Sequence, residues 1–257
     1  MNVEARAPRA WVRERARTAA RWYGRSMEAL ALDPLEAELR RAGATFGRDH
    51  DRVISLSYGS VAGEIAVAER AVGLADRNDL SVLAVTGSAG RVAESVQRTA
   101  GRRPEPNETW AAAGVWWHAL SGERVLAIAD WRATQRLHHA FHAPSPGLRV
   151  GADLVDVSDD YKVLTLIGPR APKLLRTIGL ENVPDAGTAS ETTIAGERAL
   201  VLHESDAAFL LVTAGPGAVE TWKLLRDQGR PLGIGFVGAQ ALARLGVSER
   251  ARARRHA

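Results

Sequence analysis

Apolar and polar residues alternate over 52–58, which predicts a strand. Residues 60–73 follow a helical period, with Ile65, Ala68 and Val72 on one face and Gly73 as the stop. Residues 81–87 predict a strand and turn, and 88–98 a short helix. Upstream, residues 5–31 carry a loose apolar stripe (Trp11, Val12, Trp22, Tyr23, Met27, Leu30) and predict a helix. Asp33-Pro34 is a start signal for a second helix, because Asp caps orphan N–H groups and Pro suits the first turn. That helix carries Leu35 and Leu39 and is expected to end near Gly43.

After a Pro/Asn-rich connector at 103–107, strands are expected over 114–120 and 124–129, joined by Ser121-Gly122-Glu123, then a helix over 134–141. Ala143-Pro144-Ser145-Pro146-Gly147 is the clearest linker. Beyond it come strands over 154–158 and 161–166, a Gly168-Pro169 turn and a helix over 171–178. Strands over 197–203 and 208–213 follow, then helices over 216–227, closing on Gly229, and 237–245. Val85-Thr86-Gly87 before a helix is echoed by Leu166-Ile167-Gly168-Pro169 before a helix, a pseudo-repeat of about 80 residues. Hairpins with helices gathered on one face imply α+β: two related α/β modules with antiparallel sheets. The expected divisions are an Arg-rich helical extension (1–31), a first module (32–142), a linker (143–147), a second module (148–246) and a basic tail (247–257).

Composition removes several chemistries. There is no cysteine, so disulfides, thiol catalysis and thiolate metal sites are excluded. No apolar run approaches the ~18 residues of a membrane span, and 1–31 lacks the apolar core of a secretory signal, so a cytoplasmic protein is expected. The net charge of +4 and pI near 9.9 come from arginines at the two ends, while the middle is close to neutral or acidic. A nucleic-acid partner is not expected. No Walker or G-x-G-x-x-G pattern is present. His138 and His142 share a helix face, but no acidic or third ligand accompanies them and no metal site is expected.

Several short motifs fall in a familiar order. They are Tyr58-Gly59, Glu64 to Arg70 and Gly73-Leu74-Ala75-Asp76-Arg77; then Asp156-Val157-Ser158 with Leu164 to Ala171; then Trp222 to Gly229; and last Gly238 to Leu245. Together they resemble the glycine cleavage T-protein (aminomethyltransferase) superfamily across 33–246. The small γ-subunit of heterotetrameric sarcosine oxidase, a shortened relative, is matched at least as well. The resemblance implies a T-protein/sarcosine-oxidase-γ-like fold without the C-terminal barrel, since the chain ends at Ala257. It also implies a tetrahydrofolate pocket, with one carboxylate near the folate nitrogens and another on the pterin edge, where two parallel hydrogen bonds fix a planar ring.

The departures from the family lie at those acids. Its "DDL" strand corresponds to Gly114-Val115-Trp116-Trp117-His118, which has no acid, and its "GYTGEDG" segment falls near Glu204-Ser205-Asp206. Either Glu204 or Asp206 can stand in for the pterin acid. One of Trp116 and Trp117 belongs to the core, and the other is a stacking candidate. His118 is either an acid–base group or a core histidine. Asp130 lies at a strand end where the family carries an asparagine, and Asp156 and Asp159 suit turn caps. Trp117, Asp130, Glu204 and Arg244 are therefore the candidate tetrahydrofolate contacts, and no catalytic residue is assigned. The expected function is aminomethyltransferase-like folate binding linked to one-carbon transfer. The alternative is a non-catalytic γ-type subunit packed on a flavoprotein oxidase or dehydrogenase.

Overall fold

The computed structural model describes residues 34–50, 52–142, 151–205 and 207–247. The helix expected over 5–31, Asp33, the 143–147 linker, Asp206 and the tail beyond 247 lie outside these residues.

The helices are α1 (Pro34–Arg41), α2 (Val61–Arg70), α3 (Ala89–Ala100), α4 (Trp131–His142), α5 (Ala171–Thr177), α6 (Ala218–Gly229) and α7 (Ala239–Arg244). The strands are β1 (Thr45–Asp49), β2 (Arg52–Ser57), β3 (Val72–Asp76), β4 (Leu80–Thr86), β5 (Thr109–Ala112), β6 (Val115–Ser121), β7 (Arg124–Asp130), β8 (Asp153–Asp156), β9 (Tyr161–Ile167), β10 (Ala189–Ile194), β11 (Glu197–Ser205), β12 (Ala208–Ala214) and β13 (Ile234–Phe236). Local signals set many of the ends. Ser60 Oγ accepts the Gly63 N–H at 3.3 Å and starts α2. Gly101, at φ 77°, stops α3 in the left-handed conformation that suits glycine.

The pseudo-repeat is structural. The run β4-α3-β5-β6-β7-α4-β8 recurs as β9-α5-β10-β11-β12-α6-β13. The first builds a five-stranded sheet of order β5-β6-β7-β4-β8, and the second a six-stranded sheet of order β10-β11-β12-β9-β3-β13. The second has the same order with one insertion: β3, from the first half of the chain, lies between β9 and β13, antiparallel to β9 and parallel to β13. Strands β1 and β2 form a separate hairpin. This is the α+β architecture with antiparallel sheets.

Each sheet has a helix-covered face and a face turned to the other sheet. Leu83, Trp117, Ala127, Val92, Val96 and Leu137 fill the layer between the five-stranded sheet and α3/α4. Leu164, Leu166, Leu174, Trp222 and Leu225 fill the layer between the six-stranded sheet and α5/α6, with Leu35 and Leu39 of α1. The inner faces meet through Leu80, Val82, Trp116, Leu126 and Ile128 on one side and Val163, Leu200, Leu202, Leu210 and Val212 on the other. The order is helix, sheet, sheet, helix.

The expected helix over 60–73 is corrected: it ends at Arg70, and Val72–Asp76 is a strand. Val72, Gly73, Leu74 and Ala75 are all buried, and a short apolar run has no period that separates helix from inner strand. Gly73 is a mid-strand residue, since a Cβ there would lie 2.6 Å from Val237 Cγ2 and 2.8 Å from Ile167 Cγ2. Strands β1, β5, β10 and β13 were not expected, and α4 begins three residues before Thr134.

Candidate functional site

Two polar groups interrupt the apolar layer between the sheets. The first centres on Arg77, which follows β3 and is held there by its N–H donating to the Val163 carbonyl at 2.9 Å. Its side chain is only 3% exposed. Nε donates to Asp79 Oδ1 at 2.8 Å and Nη2 to Asp79 Oδ2 at 2.9 Å, a bidentate pair. Nη1 reaches the buried Thr165 hydroxyl at 3.5 Å. Burial alone would lower the Arg77 pKa; the Asp79 carboxylate, then Glu204 and Asp76, outweigh it and hold the guanidinium charged. Glu204 is itself buried, at the β-bulge that ends the β11–β12 pairing. A buried arginine between carboxylates holds and orients anions; it does not exchange protons.

The second group centres on His118 of β6, whose side chain is 2% exposed. Its Nδ1 lies 2.8 Å from Thr109 Oγ1 and its Nε2 lies 3.1 Å from Glu191 Oε1. Arg198 Nη2 donates to Glu191 Oε2 at 2.8 Å. Burial pushes the imidazole pKa below its ordinary value against the opposing pull of Glu191, and Arg198 acts in the same sense as burial. His118 and Glu191 belong to different sheets, so this contact joins them.

The expected folate contacts lie in four separate settings. Trp117 pairs with Ala127 across β6–β7 and points to the helix-covered side, 0% exposed, stacked on Trp110 with Nε1 donating to the Ala112 carbonyl at 3.2 Å. Its ring has no open face. Trp116, one residue earlier, points to the inner layer and is 4% exposed. Asp130 Oδ1 accepts the Ala133 N–H at 2.8 Å and caps α4. Glu204 joins the Arg77 group, and Arg244 is exposed on α7. Asp156 Oδ1 accepts the Ser158 N–H at 2.9 Å in a local turn, and Arg52 reaches both Asp156 and Ser158. No group of three or more His, Asp or Glu of metal-binding geometry occurs among the described residues.

A buried polar residue not singled out as a site candidate from the sequence is Glu64. Its Oε1 accepts the Tyr58 N–H at 2.7 Å and its Oε2 accepts the Gly238 N–H at 2.8 Å. One buried carboxylate thus ties the end of β2, helix α2 and the start of α7. Gly238 stands there because a Cβ would strike the Leu56 carbonyl. Tyr58, Glu64 and Gly238 meet at this joint, while Gly73 packs on Val237 and Ile167 and Gly168 on the carbonyls of Ala68 and Ala71 at the other end of α2, so these motif residues speak to the fold. Their recurrence in order along the sequence was the signal for it.

No family profile and no curated protein sequence matches the chain. Solved structures do. Aminomethyltransferase T of the glycine cleavage system from Bartonella henselae superposes with a TM-score of 0.63 at 17% identity, over 81% of this chain and 59% of that one. A chain of heterotetrameric sarcosine oxidase from Corynebacterium sp. U-96 superposes with a TM-score of 0.52 at 19% identity, over 69% of this chain and 95% of that one. This chain has the fold of these two proteins. The T-protein-like fold here spans only about three fifths of the Bartonella enzyme's length (59%) but nearly all of the sarcosine oxidase chain. No helix among the described residues is long and apolar enough to cross a membrane.

Proposed function

We propose that this protein is a non-catalytic γ-type subunit of a sarcosine-oxidase-like flavoenzyme, built on the T-protein-like fold. The observation that carries this is what the polar motif residues do. Glu64 is occupied by two backbone N–H groups, Asp130 by the α4 N-terminus, Asp156 by its own turn and Arg77 by Asp79. The strand in the place of the family's "DDL" carries Trp116, Trp117 and His118 and no carboxylate. Loss of an acid that meets developing charge removes several kcal/mol of transition-state stabilisation. The extent of overlap with the sarcosine oxidase chain supports the same reading. The test is co-expression with the flavoprotein subunit from the same source, followed by mass measurement of the native complex. A defined complex with amine-dependent peroxide formation is expected. Separate migration of the two chains at micromolar concentration would overturn the reading.

A second reading, tetrahydrofolate binding linked to one-carbon transfer, is favoured by one feature: Glu204, one of the two candidate pterin acids, is buried beside Arg77. Calorimetric titration with tetrahydrofolate and its 5-formyl form separates the readings. One-to-one binding abolished by Glu204→Gln supports a folate pocket, and absence of heat up to millimolar folate removes it.

A further inference from the structure

The His118 group sits where two sheet edges meet. Strand β5, which carries Thr109, is the edge of the five-stranded sheet, and β10, which carries Glu191, is the edge of the six-stranded one. We propose that Thr109, His118 and Glu191 form an acid-sensitive clasp that holds the β5–β6 edge against β10. The proton positions follow from the partners. Arg198, donating to Oε2, holds the Glu191 carboxyl below the ordinary carboxylate range, so at neutral pH it only accepts. His118 Nε2 therefore carries the hydrogen and donates to Glu191, while bare Nδ1 accepts from the Thr109 hydroxyl. Neutral imidazole satisfies every member of the chain.

Protonation upsets two of these terms. It places a hydrogen on Nδ1, so that the Thr109 hydroxyl must rotate from donor to acceptor, and it puts positive charge into a site that is 2% exposed. The charged groups acting on His118 are Glu191 from β10 and, behind it, Arg198 from β11. Arg198 already shares the Glu191 carboxylate, so the new charge is compensated in part. Two residues away, on the same face, the Trp116 indole N–H is buried without an acceptor, and opening the edge lets water reach it. His118 titrates below 6.5 when the clasp is closed and regains its ordinary value when it opens. The open form therefore binds more protons. The clasp is fully held above pH 6.5 and is lost as pH falls through the closed-state midpoint. Opening increases by up to about tenfold for each pH unit by which that midpoint lies below 6.5.

The test is hydrogen exchange of the full chain at pH 7.5 and 5.5, corrected for intrinsic exchange, with the His118 midpoint from NMR. Amides of β5 and β10 are expected to lose protection at pH 5.5 while those of β9, β11 and β12 keep theirs. His118→Gln retains a donor toward Glu191 and an acceptor toward Thr109 without titrating, and its exchange is expected not to respond to pH. Arg198→Ala removes the competing cation and is expected to raise the His118 midpoint, a readout that stands even if the glutamine variant misfolds. An equal pH response in His118→Gln, a wild-type midpoint at or above 6.5, or an Arg198→Ala midpoint that does not rise would each overturn the clasp.

Discussion

Replacing Glu64 isolates the joint on which this fold turns. Both carboxylate oxygens accept backbone N–H groups, from Tyr58 at 2.7 Å and Gly238 at 2.8 Å, and the residue is 5% exposed. A buried donor stripped of its acceptor costs ~1–3 kcal/mol. Glu64→Ala strips two donors that water reaches poorly, and a loss of about 4 kcal/mol is expected. Glu64→Gln keeps one carbonyl oxygen and turns an NH2 toward the other N–H, so about 2 kcal/mol is expected. For a chain of this size that corresponds to a melting-point fall of about 8–16 °C for alanine and half that for glutamine. Urea unfolding followed by circular dichroism measures both, and an unchanged m-value shows that stability alone has moved. A glutamine variant within about 0.5 kcal/mol of the parent would refute the reasoning, because the second oxygen would then contribute nothing.

Three further perturbations follow from named contacts. Gly168→Ala puts a Cβ 2.6 Å from the Ala71 carbonyl oxygen at φ 121°, so both space and backbone oppose it; a loss above about 3 kcal/mol or failure to fold is expected, read as soluble yield and melting point. Trp117→Ala opens a cavity under α3 and α4 and is expected to cost about 3–5 kcal/mol in denaturant unfolding, whereas Trp117→Phe costs less. Folate binding lost in the alanine variant would thus report a damaged core, and Glu204→Gln is the cleaner probe. Arg77→Met leaves Asp79 and buried Glu204 without their cation and is expected to destabilise by about 3–5 kcal/mol, partly restored by adding Glu204→Gln, as a double-mutant cycle would measure.

Most hairpins and helices were legible because their signals are local. The Ser121-Gly122-Glu123 turn between alternating strands, the closure of α6 on Gly229 and the helical spacing of Val92 and Val96 each act within a few residues. The elements that were missed lack such signals. Strand β3 is a buried run behind a helix with the same apolar density, and β1, β5, β10 and β13 lie at sheet edges or in the separate hairpin. The half-exposed faces of β1, β5 and β10 carry mixed residues. The candidate site was less legible. Trp116 and Trp117 must point to opposite sides of β6, yet alternation does not say which side meets helices and which meets the other sheet. Asp130 looked the same as a ligand contact or a solvated strand-end acid until α4 was seen to begin at Trp131.

By itself, then, the sequence determined a repeated order of strand, glycine turn, helix, hairpin and helix, and the absence of cysteine thiols, because these depend on residue type and short-range spacing. Only the tertiary structure decided that β3 inserts between β9 and β13, that Glu64 reaches Gly238 across 174 residues, and that His118 finds Glu191 in the opposite sheet. Sheet pairing and buried polar contacts are chosen by partners far away in the chain, and no local pattern of hydrophobicity encodes which partner arrives.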